Sequence, residues 1–207
     1  MVEEAIVELE HAVAINPQAG YSYLQLVFLH TIVGNYSRAE SAAKNAIELQ
    51  EKYISGKEGL QVVGAHTRLG YCYYRQGRYD EAVSEYQREL AFLNSSDHAL
   101  RDRSMTELEQ KLGAAYLRQG MQEEAETHFK NAIKRFEQRL GKGSDDPYTK
   151  YYIANLFALK GDTEKAIKYL SESISALKAI NMLRAKSDPD FESLHSDPRF
   201  KELIGQQ

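Results

Sequence analysis

Four glycines set a period that few folds can satisfy. Gly34, Gly77, Gly120 and Gly161 are separated by 43, 43 and 41 residues. Each closes an apolar helical pattern, and each is followed five residues later by an alanine, Ala39, Ala82, Ala125 and Ala166. A fixed period of this size, with the same two-helix unit in each repeat, means an all-α solenoid of antiparallel helix hairpins. The breakers agree. Only four prolines occur, Pro17, Pro147, Pro189 and Pro198, and none lies inside an apolar-periodic segment. Long helices are therefore permitted across most of the 207 residues, while strand-like alternation is scarce.

Within each unit the residues before the glycine follow one pattern: Leu26-Val27-x-x-His30, Leu69-Gly70-x-x-Tyr73, Leu112-Gly113-x-x-Tyr116 and Ile153-Ala154-x-x-Phe157. Four residues beyond each alanine stand Ala43, Tyr86, Phe129 and Leu170. A small residue on the first helix and an alanine on the second let two backbones approach, and the large residues fill the space beside them. The glycine supplies the positive φ that ends the first helix and turns the chain back.

These residues resemble the tetratricopeptide repeat family, and repeats two and three carry the small-and-large pattern almost intact. The resemblance implies a right-handed superhelical solenoid over 1–207: a leading helix or truncated repeat at 1–18, repeats at 19–57, 58–96, 97–143 and 144–184, and a closing cap at 185–207. Repeats one and four depart from the pattern, with Val27 and Ala154 at the usual glycine. Glu89 and Ser173 stand at the usual late alanine of the second helix, so packing there is looser or locally polar. The leading half-unit, Ala5-x-x-x-Leu9-x-x-Ala12, is either an amino-terminal cap or the remainder of a longer array.

The period of about 42 residues exceeds the family's 34-residue prototype. The extra length falls at Lys52–Gly59, Asn94–Ser104 and Gly141–Pro147, which predicts second helices that run past the usual hairpin. Longer repeats of this kind look like those of kinesin light chain, although Asp146 stands where that family has His before Pro. Ser187-Asp-Pro-Asp-Phe and Ser196-Asp-Pro-Arg-Phe resemble the closing segment of bacterial multidomain tetratricopeptide proteins. Asp188 and Asp197 are expected N-caps, with Pro189 and Pro198 at the first helical position. Phe191, Leu194, Phe200, Leu203 and Ile204 would cover the last repeat's apolar face.

Composition removes several function classes. Lys plus Arg total 26 against 30 for Asp plus Glu, a net charge of −4, which lacks the basic footprint of nucleic-acid binding. The most apolar stretch, 23–33, is too short and too polar to span a bilayer. No basic-then-apolar leader opens the chain, and a cytoplasmic location is expected. The single cysteine, Cys72, builds neither a disulfide nor a cysteine zinc site and reads as a small buried hydrophobe. No histidine pair has metal-helix spacing, and His30 reads as a satisfied core histidine. Gly141-Lys-Gly-Ser144 lacks phosphate-loop spacing, and Glu123, Glu124 and Glu126 suit a helix N-terminus. No catalytic constellation, cofactor or metal is expected.

A binding surface can still be placed. The face of each first helix opposite its packing residues would line the concave groove of the resembling array. It carries Tyr21, Leu24 and Phe28 in repeat one, then Arg68, Tyr71 and Arg75 in repeat two. Repeat three adds Lys111 and Arg118, and repeat four adds Tyr148, Tyr151 and Asn155. Four cations amid aromatics suit an acidic peptide or helix with apolar anchors. The same tyrosines could instead pack against neighbouring repeats or the carboxyl-terminal cap. The carboxylate clamp of chaperone-binding members is not matched, since Leu24 and Phe28, or Thr67 and Tyr71, stand where Lys and Asn are required. The expected function is a protein-interaction module or scaffold. The alternatives are a self-associating scaffold, with homo-oligomers as its product, and the regulatory arm of a larger signalling enzyme.

Overall fold

A computed structural model describes residues 2–56, 62–143 and 146–206. Part of the Lys52–Gly59 segment, residues 57–59, lies outside the described residues. Eleven α-helices occur among the described residues: α1 Val2–Ile15, α2 Gly20–Ile32, α3 Tyr36–Gly56, α4 Ala65–Arg75, α5 Tyr79–Ser95, α6 Arg101–Arg118, α7 Gln122–Gly141, α8 Pro147–Leu159, α9 Thr163–Ala176, α10 Lys178–Ser187 and α11 Pro198–Leu203. A 3-10 helix spans Pro189–Leu194, and no strand is present among the described residues. The chain forms two compact units, Met1–Ser104 and Met105–Gln207, whose boundary falls within α6.

Each hairpin is closed by the same physical device. Gly34, Gly77, Gly120 and Gly161 have φ of 81°, 74°, 79° and 76°. In each case the next residue's amide reaches back five residues to the preceding helix: Asn35 to His30 O, Arg78 to Tyr73 O, Met121 to Tyr116 O and Asp162 to Phe157 O, at 2.8–3.0 Å. This Schellman geometry satisfies carbonyls that a helix end otherwise leaves open, and it needs a residue tolerant of positive φ. The chain then enters the second helix, which packs on the first in α2–α3, α4–α5 and α8–α9. The α6–α7 pair is in contact through Gly113 and Phe129.

The small-residue rule has a measurable basis. A Cβ built on Gly70 would meet the Tyr86 ring at 2.4 Å, and one on Gly113 would meet the Phe129 ring at 2.5 Å. Ala39, Ala82, Ala125 and Ala166 are essentially without solvent exposure. The second helices α3, α5 and α7 continue to Gly56, Ser95 and Gly141, as the long period requires. Asp146 caps α8: its carboxylate accepts from Tyr148 N at 3.0 Å and from Thr149 Oγ1 at 2.6 Å, and pairs with Arg139 at 3.1 Å.

The late-alanine position explains two sequence departures. It is Ala46, Glu89, Ala132 and Ser173 in the four repeats. Glu89 on α5 is fully buried, and its carboxylate accepts from Gly64 N at 2.9 Å, His66 N at 3.1 Å and Gln50 Nε2 at 3.3 Å. Gln50 on α3 accepts from Ala65 N at 3.1 Å. Neighbouring helices thus cap the N-terminus of α4, where Gly64 has no side chain to do so. Burial pushes the Glu89 carboxyl up, and these donors pull it back. Ser173 does similar work, donating to Pro147 O at 2.7 Å and accepting from Asn181 Nδ2 at 2.7 Å.

A second polar pair is repeated with its members exchanged. His66 on α4 meets Glu85 on α5 at 2.6 Å, and, 43 residues on, Glu109 on α6 meets His128 on α7 at 2.7 Å. Both join the two helices of one hairpin. His30 departs from expectation. It is buried on α2, but its Nδ1 has no hydrogen-bond partner among the described residues, so it is a core histidine only partly satisfied. Burial holds its pKa below the ordinary value despite Glu10 at 3.7 Å, which keeps it neutral. Cys72 is buried, and burial raises its thiol pKa, which suppresses the reactive thiolate.

Candidate protein-interaction face

In the first unit the relevant face is built by α2 and α4. Leu24, Phe28 and Tyr71 are buried, Tyr21 is 40% exposed, and Arg68 and Arg75 are half-buried. The Arg68 guanidinium lies over the Phe28 ring at 5.0 Å, which joins α4 to α2 by a cation–π contact. Arg75 Nη1 donates to the Tyr71 hydroxyl at 3.2 Å, one turn back on the same helix. Four of the six residues proposed from the sequence in this unit thus form two contacting pairs, Arg68 with Phe28 and Arg75 with Tyr71. Thr67, beside Arg68 in the chain, is buried, and its hydroxyl has no hydrogen-bond partner among the described residues.

In the second unit α6 and α8 present the corresponding residues to the chain's own carboxyl-terminal segment. The Tyr151 hydroxyl donates to Asp188 Oδ2 at 3.0 Å. Arg118 Nη2 donates to Pro189 O at 2.8 Å, and its Nη1 lies 3.8 Å from Glu192. Gln110 Nε2 donates to Asp190 Oδ2 at 3.3 Å. Phe191 meets Tyr151 edge-on at 5.6 Å and, with Leu194, Phe200 and Ile204, is buried in one apolar cluster with Tyr151, Tyr152 and Leu170. Tyr148 packs against that cluster, half-buried. The anticipated N-caps form: Asp188 accepts from Asp190 N at 3.2 Å and Asp197 from Arg199 N at 2.8 Å.

Lys111 is buried among these groups. Its ammonium lies 5.3 Å from the centre of the Tyr152 ring. Burial lowers its pKa to about 8, and Glu107, Asp188 and Asp190 oppose that fall while Arg184 adds to it. Asn155 is also buried, and its Nδ2 has no partner among the described residues. Lys111, Tyr151 and Asn155 are therefore seated inside the unit. An open cleft of about 400 Å³ remains between Leu117, Arg118, Ala158 and Leu159 and the edge of the 3-10 helix.

Sequence reading missed Arg184, Asp188 and Asp190 as partners of this face. Arg184 is 1% exposed and stacks over Tyr151 at 3.8 Å and Tyr152 at 5.4 Å. It lies on α10, a helix that no repeat period announces. The two aspartates could have been flagged, because Asp-Pro-Asp-Phe pairs two charges with an aromatic opposite a predicted cationic face. Among the described residues no group of His, Cys, Asp and Glu side chains is arranged to hold a metal ion, and no helix is long and apolar enough to cross a membrane.

The hairpin geometry agrees with the comparison to known families. A tetratricopeptide repeat model matches residues 18–95 and 102–179. The chain belongs to the tetratricopeptide repeat family. As a tetratricopeptide repeat protein it is a protein–protein interaction module. A similar protein is the Hsp70-Hsp90 organising protein of Plasmodium falciparum (isolate 3D7), 29% identical over 109 residues. That match takes in 53% of this tetratricopeptide chain and 18% of the relative, so the chain spans less than a fifth of the protein it resembles.

Proposed function

We propose that this tetratricopeptide module binds an extended or 3-10 segment of a partner protein against the α2–α4 face of its first unit. One observation carries the reading: the α6–α8 face already holds such a segment, residues 188–191, through Tyr151, Arg118 and Gln110. The grip is specific in kind. A tyrosine hydroxyl and an amide meet carboxylates, an arginine meets a backbone carbonyl, and an aromatic ring receives a phenylalanine. Charge-assisted hydrogen bonds and a buried aromatic anchor are what peptide recognition uses.

The relative's name describes a protein that organises two chaperones. A chaperone tail read by a carboxylate clamp suits this chain poorly, because Leu24 and Phe28 are buried apolar residues at the clamp positions. An acidic segment with an aromatic anchor fits the cations and rings present. The test is photo-cross-linking from p-benzoylphenylalanine placed at Tyr21 or Arg75 on the α2–α4 face, with Lys134 and Gln87 on second helices as controls. Partner adducts from the first pair and none from the second support the reading. Adducts from the controls alone overturn it.

A further inference from the structure

The second helices share one packing stripe, and α1 carries the same stripe in a more open state. In α5 it is Ala82, Tyr86 and Glu89, all buried, and the equivalent positions of α3, α7 and α9 are buried too. At the same repeat positions α1 has Ala5, Leu9 and Ala12, and all three are only half-buried. Among the described residues of α1, Ile6 alone is buried. Ile15, 86% exposed, lies one turn beyond Ala12 and extends the open face.

The hairpins show what covers such a stripe. Sizes across each hairpin are reciprocal. Gly70 and Gly113 stand against the rings of Tyr86 and Phe129, whereas Ala154 shares a buried apolar cluster with the smaller Leu170. Leu9 occupies the position of Leu170, so the helix that fits it carries alanine where α4 and α6 carry glycine. Charge adds a second requirement. Glu8 occupies the position of Glu85 and His128. Each of those pairs with the residue three before the first helix's leucine, Glu85 with His66 at 2.6 Å and His128 with Glu109 at 2.7 Å. Glu8 is exposed and has no ion pair or hydrogen bond among the described residues. A histidine, lysine or arginine at that point of a covering helix complements it.

A second copy of the chain suits this face poorly. α1 carries four glutamates and no lysine or arginine, so two α1 helices laid together repel. The first helices α2, α4 and α8 are already packed on their own second helices. We propose that the open face of α1, at Ala5, Leu9 and Ala12, docks an amphipathic helix of a partner protein that presents a leucine–alanine pair to Leu9 and a cationic residue to Glu8. The docked helix takes the place that a first helix takes in the complete hairpins, and its seat is separate from the α2–α4 face.

The probe is a capped, fluorescent peptide with the sequence of residues 64–76 carrying Gly70→Ala and Cys72→Ala, titrated into the full chain with anisotropy as readout. Saturable binding is expected, weakened about tenfold or more by Leu9→Gln and about threefold by Glu8→Gln. A peptide that also carries His66→Glu is expected to bind the native chain about tenfold more weakly and to recover on Glu8→Lys, much as the third hairpin exchanges the same two partners. Should Leu9→Gln prove less helical than the native chain, the charge exchange at exposed Glu8 decides alone. Binding indifferent to Leu9→Gln and to the charge exchange overturns the α1 seat. Absence of binding at millimolar peptide overturns the proposal. Self-association in sedimentation that Leu9→Gln abolishes, with no peptide bound, overturns it in favour of a second copy as the occupant.

Discussion

Replacing Glu89 by alanine tests whether one buried carboxylate from α5 holds the start of α4. In the native chain it accepts from Gly64 N and His66 N at 2.9 and 3.1 Å, and it is fully buried. Alanine leaves two amides without that acceptor, where water has little access. Each unsatisfied buried amide costs about 1–3 kcal/mol, so the gross loss is about 2–6 kcal/mol. Removing a carboxylate that burial already disfavours returns part of this, and about 2–4 kcal/mol of destabilisation is expected. For a chain of this size, that corresponds to a fall in Tm of roughly 5–15 °C. Urea unfolding followed by far-ultraviolet circular dichroism gives the energy, and amide exchange at Gly64 and His66 gives its location. A variant within about 0.5 kcal/mol of the native chain, with unchanged exchange at those amides, would refute the capping argument.

Three further outcomes follow from other contacts. Ala125→Leu puts a large side chain where Ala125 is 1% exposed beside the Gly113–Phe129 contact, and should destabilise by about 1–3 kcal/mol in thermal unfolding. Tyr151→Phe removes a donor from buried Asp188 and should cost about 1.5–3 kcal/mol, and an unchanged urea midpoint would sink the claim that this bond secures the 3-10 helix. Lys111 has a folded pKa of about 8, below the unfolded value of about 10.4. Between those values the unfolded chain holds a proton that the folded chain has released, so stability from this group rises with pH, by on the order of 3 kcal/mol over the interval. Measured from pH 7.5 to 10.5, the native chain should therefore gain on Lys111→Met, and a constant gap between the two would refute the shift.

Much of the fold is legible before any coordinates, because its determinants are local. A glycine at positive φ, a small residue opposite an aromatic and an alanine at closest approach constrain neighbours within one hairpin, and each leaves a mark at fixed spacing. Gly113 against Phe129 is the clearest case, since a single Cβ would collide. The N-caps at Asp188 and Asp197 are equally local.

The candidate face is legible only in part. Helical periodicity puts Arg68, Tyr71 and Arg75 on one side of α4, but it does not say what reaches them. Arg184, arriving from α10 to lie over Tyr151, comes from outside the period altogether. The sequence by itself determined the hairpins, their turns and the identity of the cations and rings on their faces, since these depend on contacts a few residues apart. Only the tertiary structure decided that Lys111 and Tyr151 are spent on residues 184–191, and that Glu89 serves a helix start 25 residues away, because these particular partners do not recur from repeat to repeat.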